Sequence, residues 1–201
     1  GMPVDYDSLL DLSKETGLPF ISDSAESLGA SYKNEKVGSQ ALASSFSFFA
    51  NKNITTGEGG MIVTDDKNIY DRLRIIRNQG QEGRYNHTYL GYNYRMTDIQ
   101  AALGISQLNR IDTIIYEKNK LADYYSNVFD ELSWIKKPYV PDYVSNHSWY
   151  NYSITVDASI RNDLIKYLDK NKIETRLSFP PVHIQPYYVE KLNYNKEDFL
   201  N

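Results

Sequence analysis

The sequence predicts an α/β protein: part of a large domain with a mostly parallel sheet, then a long linking helix, then a smaller α/β lobe. Three observations carry the prediction. Residues 18–21, Leu-Pro-Phe-Ile, form a short apolar run of the kind buried on both faces of a parallel sheet, and residues 45–49 and 61–64 add two further strand-like runs. Stretches with apolar residues at helical spacing lie between and after these runs, the longest opening at Thr97. Beyond Pro138 and Pro141 a shorter alternation of strand and helix begins.

Taken in order, Leu9, Leu10 and Leu12 place a short amphipathic helix over residues 6–16, which Gly17 ends by supplying a left-handed residue. The strand at 18–21 stops at Ser22-Asp23-Ser24. In an open α/β sheet, ligands lie beyond the carboxyl ends of the strands, so Asp23 is a site candidate by position. Residues 30–43 are mixed in polarity and show no regular pattern. The aromatic strand 45–49 runs into residues 50–60, which have neither period, and the chain resumes a strand at 61–64. Ile69, Leu73 and Ile76 set a helix over 67–77. The Tyr-rich stretch 78–94 reads as a long loop, a length that goes with function or disorder. Thr97 caps the strongest helix, with Asp98 in its first turn and Ile99, Leu103, Leu108, Ile111, Ile115 and Leu121 at helical spacings; it runs toward Leu132, allowing a bend. Residues 149–156 alternate as a strand, 159–170 form a helix and 173–176 are extended; Pro180-Pro181 end regular structure before the polar tail 193–201. The expected parts are thus a partial large domain over 1–110, a linking helix over 111–135 and a partial small domain over 136–201.

Composition narrows the function. The chain has 201 residues, enough for one domain or one and a half, with 41% hydrophobic and 24% charged residues, which excludes disordered and collagen-like classes. A net charge of −4 argues against a sequence-independent grip on nucleic acid, which needs a basic face. The absence of cysteine removes disulfides, thiol nucleophiles and cysteine metal sites. His87, His147 and His183 are too scattered for a metal site, so none is expected. No run approaches the roughly 20 apolar residues of a transmembrane helix, and the start carries no signal-peptide pattern, so the expectation is a cytoplasmic protein without a membrane partner. Gly57-Glu58-Gly59-Gly60 lacks the glycine order of a dinucleotide loop and the Walker lysine. Trp149 and the tyrosines around it read as core of the small lobe.

Lys52 is the chemical focus. After a buried aromatic strand and among Asn51, Asn53 and glycines, a lysine is open to partial desolvation, which frees an amine for Schiff-base chemistry; the plain alternative is a loop lysine on the surface. Asp23 after one strand, Ser47 and Lys52 around the end of another, and the glycines beyond supply residue types that pyridoxal phosphate needs: an amine for the aldehyde, an anion for the ring nitrogen, hydroxyls and N–H groups for the phosphate.

The segments 21–30 (ISDSAESLGA), 46–61 (FSFFANKNITTGEGGM) and 91–108 (GYNYRMTDIQAALGISQL) resemble the DegT/DnrJ/EryC1/StrS family of sugar aminotransferases, and the resemblance runs from Gly1 to about Tyr188. It implies a fold type I pyridoxal phosphate enzyme that takes an amino group from glutamate and delivers it to C3 or C4 of a nucleotide-linked keto sugar, for polysaccharide or secondary-metabolite biosynthesis. By the same resemblance Lys52 is the Schiff-base lysine and proton carrier, Asp23 pairs with the pyridinium nitrogen, Ser47 binds the phosphate, and Asn93 reaches the phosphate held by the other subunit of a homodimer. Glu26 stands where many members have glutamine near the ring hydroxyl; the alternative is a helix N-terminal Glu favoured by the dipole. Residues 79–87 resemble the perosamine-synthase branch, which places Arg84, Tyr85 and His87 at the border of the sugar-nucleotide site. Tyr85 and Tyr89 have packing at the dimer seam as their alternative. Family members are longer, so the chain resembles an internal portion of one. A binding or assembly module of the same ancestry, completed by a separate N-terminal half, is the rival reading. A sugar dehydratase of the family carries histidine in place of Lys52.

Overall fold

The computed structural model describes residues 1–177 and 179–199. Ser178 and the last two residues of the polar tail lie outside the described residues. The chain divides into two compact units, residues 1–155 and 156–201.

Helix α1 spans Tyr6–Thr16, with the Asp5 side chain accepting from the Ser8 N–H and Gly17 at φ 68° closing it. Strands β1 (Ile21–Asp23), β4 (Ala43–Ser47) and β5 (Gly60–Val63) form a sheet in the order β1-β4-β5. β1 and β4 are parallel, with Ile21 opposite Ala43 and Asp23 opposite Ser45; β4 and β5 are antiparallel, with Ser47 opposite Gly60. This sheet is mixed rather than mostly parallel. Residues 48–59, between β4 and β5, carry no helix, and without a crossover the chain can only return antiparallel. β1 also begins three residues later than the apolar run suggested. Pro19 has no N–H to give a ladder, and Leu18 is 68% exposed.

The irregular stretch after β1 holds a hairpin that residue patterning did not reveal: β2 (Ser31–Tyr32) and β3 (Glu35–Lys36), turned by Lys33 and Asn34, both at positive φ. β8 (Val144–Asn146) pairs with the other edge of β2. One core cluster joins Tyr6, Ala30, Tyr32 and Val37, with Phe20 and Tyr143 against it. A hydroxyl chain runs inside it, from Tyr6 to Ser22 (3.1 Å) and on to Ser24 (3.0 Å), and fixes the strand on which Asp23 sits. The second cluster is Phe46, Phe48 and Ile54, with Leu28, Val63, Met96, Ile111 and Ile114 packed on it. Each such side chain stabilises the fold by about 1.5–3 kcal/mol when taken from water.

Helix α2 spans Lys67–Ile76, capped by Asp66, which accepts from the N–H groups of Asn68 and Ile69. The long loop after it contains a small hairpin, β6 (Gln81–Gly83) with β7 (Asn86–His87). Thr97 caps α3 (Asp98–Leu108) in a full capping box with Gln100. The long helix expected from this cap is two helices: the chain breaks at Asn109-Arg110 and restarts as α4 (Ile111–Phe129). The apolar spacing slips from Leu103 to Leu108, five residues instead of three or four. The break turns Ile115 fully inward while Ile99, Ile105 and Leu108 on α3 stay exposed. The strand expected at 149–156 is reduced to a single bridge between Lys136 and Thr155, since Trp149 stands at φ 43°, outside strand geometry. Trp149 and Tyr152 pack within the first unit, rings 5.3 Å apart.

In the second unit, α5 (Ala158–Lys170) is capped by Asp157. A 3-10 turn at Val182–Ile184 and helix α6 (Pro186–Leu192) follow Pro180-Pro181, where sequence patterning ended regular structure; Pro186 at the first position of α6 opens a helix rather than blocking one. No helix among the described residues is long and apolar enough to cross a membrane.

Candidate active site

Because β1 and β4 run parallel, their carboxyl ends leave the sheet at one edge. Asp23 ends β1 and Ser47 ends β4. After Asp23 the chain makes two tight turns, closed by Ser27 N–H to Ser24 O (3.1 Å) and Ala30 N–H to Ser27 O (2.9 Å), and Glu26 lies in the first. After Ser47 the loop is fastened by Phe48 N–H to Gly59 O (2.8 Å) and Thr56 N–H to Phe48 O (2.9 Å), with Ile54 buried beneath it. A turn closed by Lys52 N–H to Phe49 O (3.0 Å) presents Lys52.

These two anchored loops bring Lys52 and Glu26 together. The amine Nζ lies 3.3 Å from Glu26 Oε1, with the lysine side chain 14% exposed and that of the glutamate 46%. The lysine side chain is thus shielded, and Glu26 sits in a turn rather than at a helix N-terminus. Asp23 makes no ion pair among the described residues. Its Oδ1 accepts from the Ala25 N–H (3.1 Å), and the side chain is otherwise exposed. Ser47 Oγ accepts from the Phe49 N–H (3.3 Å).

The remaining candidates form a second, exposed group with no hydrogen bond or ion pair to Lys52 or Asp23 among the described residues. Asn93 bridges to Asn78, and its Oδ1 accepts from Arg95 Nε (3.3 Å). The Arg84 guanidinium lies 5.3 Å from the Tyr85 ring centre at the turn of the β6–β7 hairpin, and His87 Nδ1 is 2.8 Å from Gln79 O.

Sequence reasoning missed a third component, residues 146–150. The Tyr150 ring centre is 4.4 Å from Lys52 Nζ. Ser148, fully buried, has its single Oγ–H shared between Gly1 O (3.0 Å) and Glu26 O (3.3 Å), and its own carbonyl accepts from Asn53 Nδ2 (2.9 Å). From α4, Asn119 Nδ2 donates to His147 O (3.1 Å) and Lys118 Nζ to Trp149 O (3.0 Å). The only sequence signals were the asparagine directly after Lys52 and the dense aromatic and amide string NHSWYNY at 146–152.

Burial also moves proton affinities here. Burial lowers the proton affinity of the Lys118 amine. Burial, then the adjacent N-terminal ammonium, pushes His147 down from 6.5 to about 4. The unfolded chain therefore takes up a proton near pH 6.5 that the folded chain refuses until about pH 4. Within that window the unfolded state binds more protons, so stability falls as pH falls; above it His147 contributes no slope. Discounted for the part of the ring that water still screens, the expected loss is on the order of 1 kcal/mol between pH 7 and 4.5. Urea unfolding at both pH values checks this: His147→Gln flattens the slope by that amount, and an unchanged slope refutes it.

Comparison with known proteins places this geometry in a family. The model of the DegT/DnrJ/EryC1/StrS aminotransferase family matches residues 1–201. A GDP-perosamine synthase of Escherichia coli O157:H7 is 42% identical over 194 residues, which cover 95% of this chain and 52% of the relative. A UDP-4-amino-4,6-dideoxy-N-acetyl-beta-L-altrosamine transaminase of Helicobacter pylori is 32% identical over 213 residues, 100% of this chain and 56% of the relative. Among solved structures, Helicobacter pylori PseC, an aminotransferase involved in the biosynthesis of pseudoaminic acid, superposes with a TM-score of 0.86 at 30% identity, covering 96% of this chain and 54% of that one. S. venezuelae DesV, solved in complex with a ketimine intermediate, gives 0.88 at 31% identity, covering 94% and 51%. The chain spans about half the length of the curated relatives it matches. The α/β fold is shared with these aminotransferases.

Proposed function

Since the chain belongs to the DegT/DnrJ/EryC1/StrS aminotransferase family, we propose that it is the lysine-bearing part of a pyridoxal phosphate enzyme that transfers an amino group from glutamate to a keto carbon of a nucleotide-linked deoxysugar. The observation that carries this reading is the shielded Lys52 amine, 3.3 Å from Glu26, on a loop at the sheet edge where Asp23 and Ser47 also end.

The residues fit the cofactor. Asp23 has a carboxylate oxygen with no partner among the described residues, Ser47 a hydroxyl whose proton is free to be donated, and Lys52 an amine held by a single ionic contact. Bound pyridoxal phosphate supplies an aldehyde for an amine and a protonated ring that withdraws electrons from the carbon bearing nitrogen. Asp23 would present the anion that keeps a ring nitrogen protonated. Ser47 Oγ–H would donate to a phosphate oxygen. Lys52 Nζ would bind the aldehyde carbon, whose oxygen leaves as water, and when free would carry a proton to and from the substrate carbon. Glu26, an acceptor when ionised, would orient Nζ and take a hydrogen bond from a ring hydroxyl.

Three GDP-perosamine synthases among the relatives, at 38–42% identity, favour a GDP-linked 4-keto-6-deoxy sugar as acceptor. Arg84, Tyr85 and His87 then border that substrate, and Asn93 serves the partner subunit of a homodimer. The exposed apolar residues Ile99, Ile105 and Leu108 on α3 support self-association.

The test is a titration of the 201-residue chain with pyridoxal phosphate, with mass read by light scattering on the same sample. A band at about 410–430 nm that borohydride removes, from a dimer or larger assembly, is the expected result. A monomer without that band makes the chain a binding or assembly module of the same ancestry instead.

A further inference from the structure

Tyr150 has no role in the reading so far, yet its ring lies against the lysine amine. Its ring centre lies 4.4 Å from Lys52 Nζ, well inside the roughly 6 Å over which an aromatic face attracts a cation. An incidental contact of this kind belongs to a mobile surface pair. This one joins a shielded amine to a chain segment tied from three directions.

The Ser148 carbonyl is held by Asn53, the neighbour of Lys52; the His147 and Trp149 carbonyls are held by Asn119 and Lys118 on α4; and Ser148 Oγ reaches the Glu26 backbone. The Trp149 indole Nε1 donates to Asn119 Oδ1 (3.1 Å), and its ring stacks on His147 at 3.8 Å. Between these ties Trp149 stands at φ 43°, a left-handed conformation that a bulky residue adopts only when its surroundings impose it. The imposed turn sets the direction in which residue 150 leaves the segment. The fold spends backbone strain where the tyrosine meets the lysine.

We propose that Tyr150 is a positioning residue for Lys52, its ring face holding the free amine in place against Glu26. The chemistry suits a lysine that alternates between bonded and free states. An aromatic face attracts an ammonium without offering a lone pair, so it holds the amine when free and competes for none of its bonds when it reacts. A second carboxylate in that place would fasten the amine more tightly and release it less readily. What the positioned amine is for rests on the aminotransferase reading; the contact itself does not.

The experiment measures reductive methylation of Lys52 Nζ by formaldehyde and cyanoborohydride in the full chain without cofactor, by peptide mass spectrometry, with exposed Lys14 as internal standard. Tyr150→Phe keeps the ring and is expected to label within about twofold of the parent; Tyr150→Leu keeps bulk but not the π face and is expected to label Lys52 about fivefold faster relative to Lys14. Tyr150→Met serves as a second ring-free variant should the leucine chain fail to fold. Equal labelling in the ring-bearing and ring-free variants overturns the proposal, whether at the parent rate or above it. Borohydride trapping of added pyridoxal phosphate on Lys52 is then read in the same variants. Absence of trapping in the parent protein defeats the aminotransferase reading alone, because the labelling comparison decides the role of Tyr150 without cofactor.

Discussion

Lys52→Ala is expected to remove the pyridoxal phosphate band and borohydride trapping together, and to lower amino transfer in a complete enzyme by at least about 10⁴-fold. That figure is the upper range for one positioned proton-transfer group, and here the same amine also makes the covalent bond. Folding should be spared. The Glu26 side chain is half open to water, so loss of its partner leaves a solvated carboxylate and not a buried one; the ion pair itself accounts for less than about 1 kcal/mol, and the lost packing of the lysine stem adds to that. Lys52→Arg sharpens the result, since a guanidinium keeps the charge opposite Glu26 but does not deprotonate to become a nucleophile. Arginine is therefore expected to preserve the unfolding midpoint of the parent and still give no band. A band that survives in either variant, read by absorbance titration and by mass after borohydride, rules out Lys52 as the bonding residue.

The chemical core of this site was legible because its parts are short-range. Asp23 and Glu26 follow one strand and Ser47 and Lys52 surround the end of another, so the parallel pairing of β1 and β4 alone brings them to one edge. Two helix ends were legible for the same reason: Gly17 and Thr97 act within a few residues of themselves. What escaped was set by tertiary contacts. The hairpin of β2 and β3 depends on β8, over a hundred residues on, for its second edge. The break between α3 and α4 follows from Ile115 turning into a core that local spacing does not describe. Tyr150 reaches Lys52 only because Asn53 and α4 grip the segment before it, and Trp149 holds a backbone angle that no propensity favours.

Gly91→Ala is expected to cost the fold heavily. A Cβ at Gly91 would lie 2.0 Å from the Gly80 nitrogen and 2.6 Å from the Gln79 carbonyl carbon; one at Gly80, where φ is 73°, would lie 1.7 Å from the Tyr89 oxygen. All of these are backbone atoms, so no side chain can step aside. The close approach is what allows the ladder between the end of α2 and the GYNYRM segment: Gln79 N–H to Tyr92 O (2.9 Å), Tyr92 N–H to Ile76 O (2.7 Å) and Tyr94 N–H to Arg77 O (3.0 Å). Asn93 takes its place from that ladder, opposite Asn78. A methyl group either forces the two strands apart, with loss of these bonds, or strains both; the expected destabilisation is about 3 kcal/mol or more. Urea unfolding gives the total, and hydrogen exchange at the Tyr92 and Tyr94 amides shows whether the loss is local. Gly80→Ala is expected to act similarly, and the double variant to cost less than the sum, because both methyl groups break one contact and it can be lost only once. A Gly91→Ala chain within about 0.5 kcal/mol of the parent, with those amides still protected, would mean that the two backbones are not in close contact at this point.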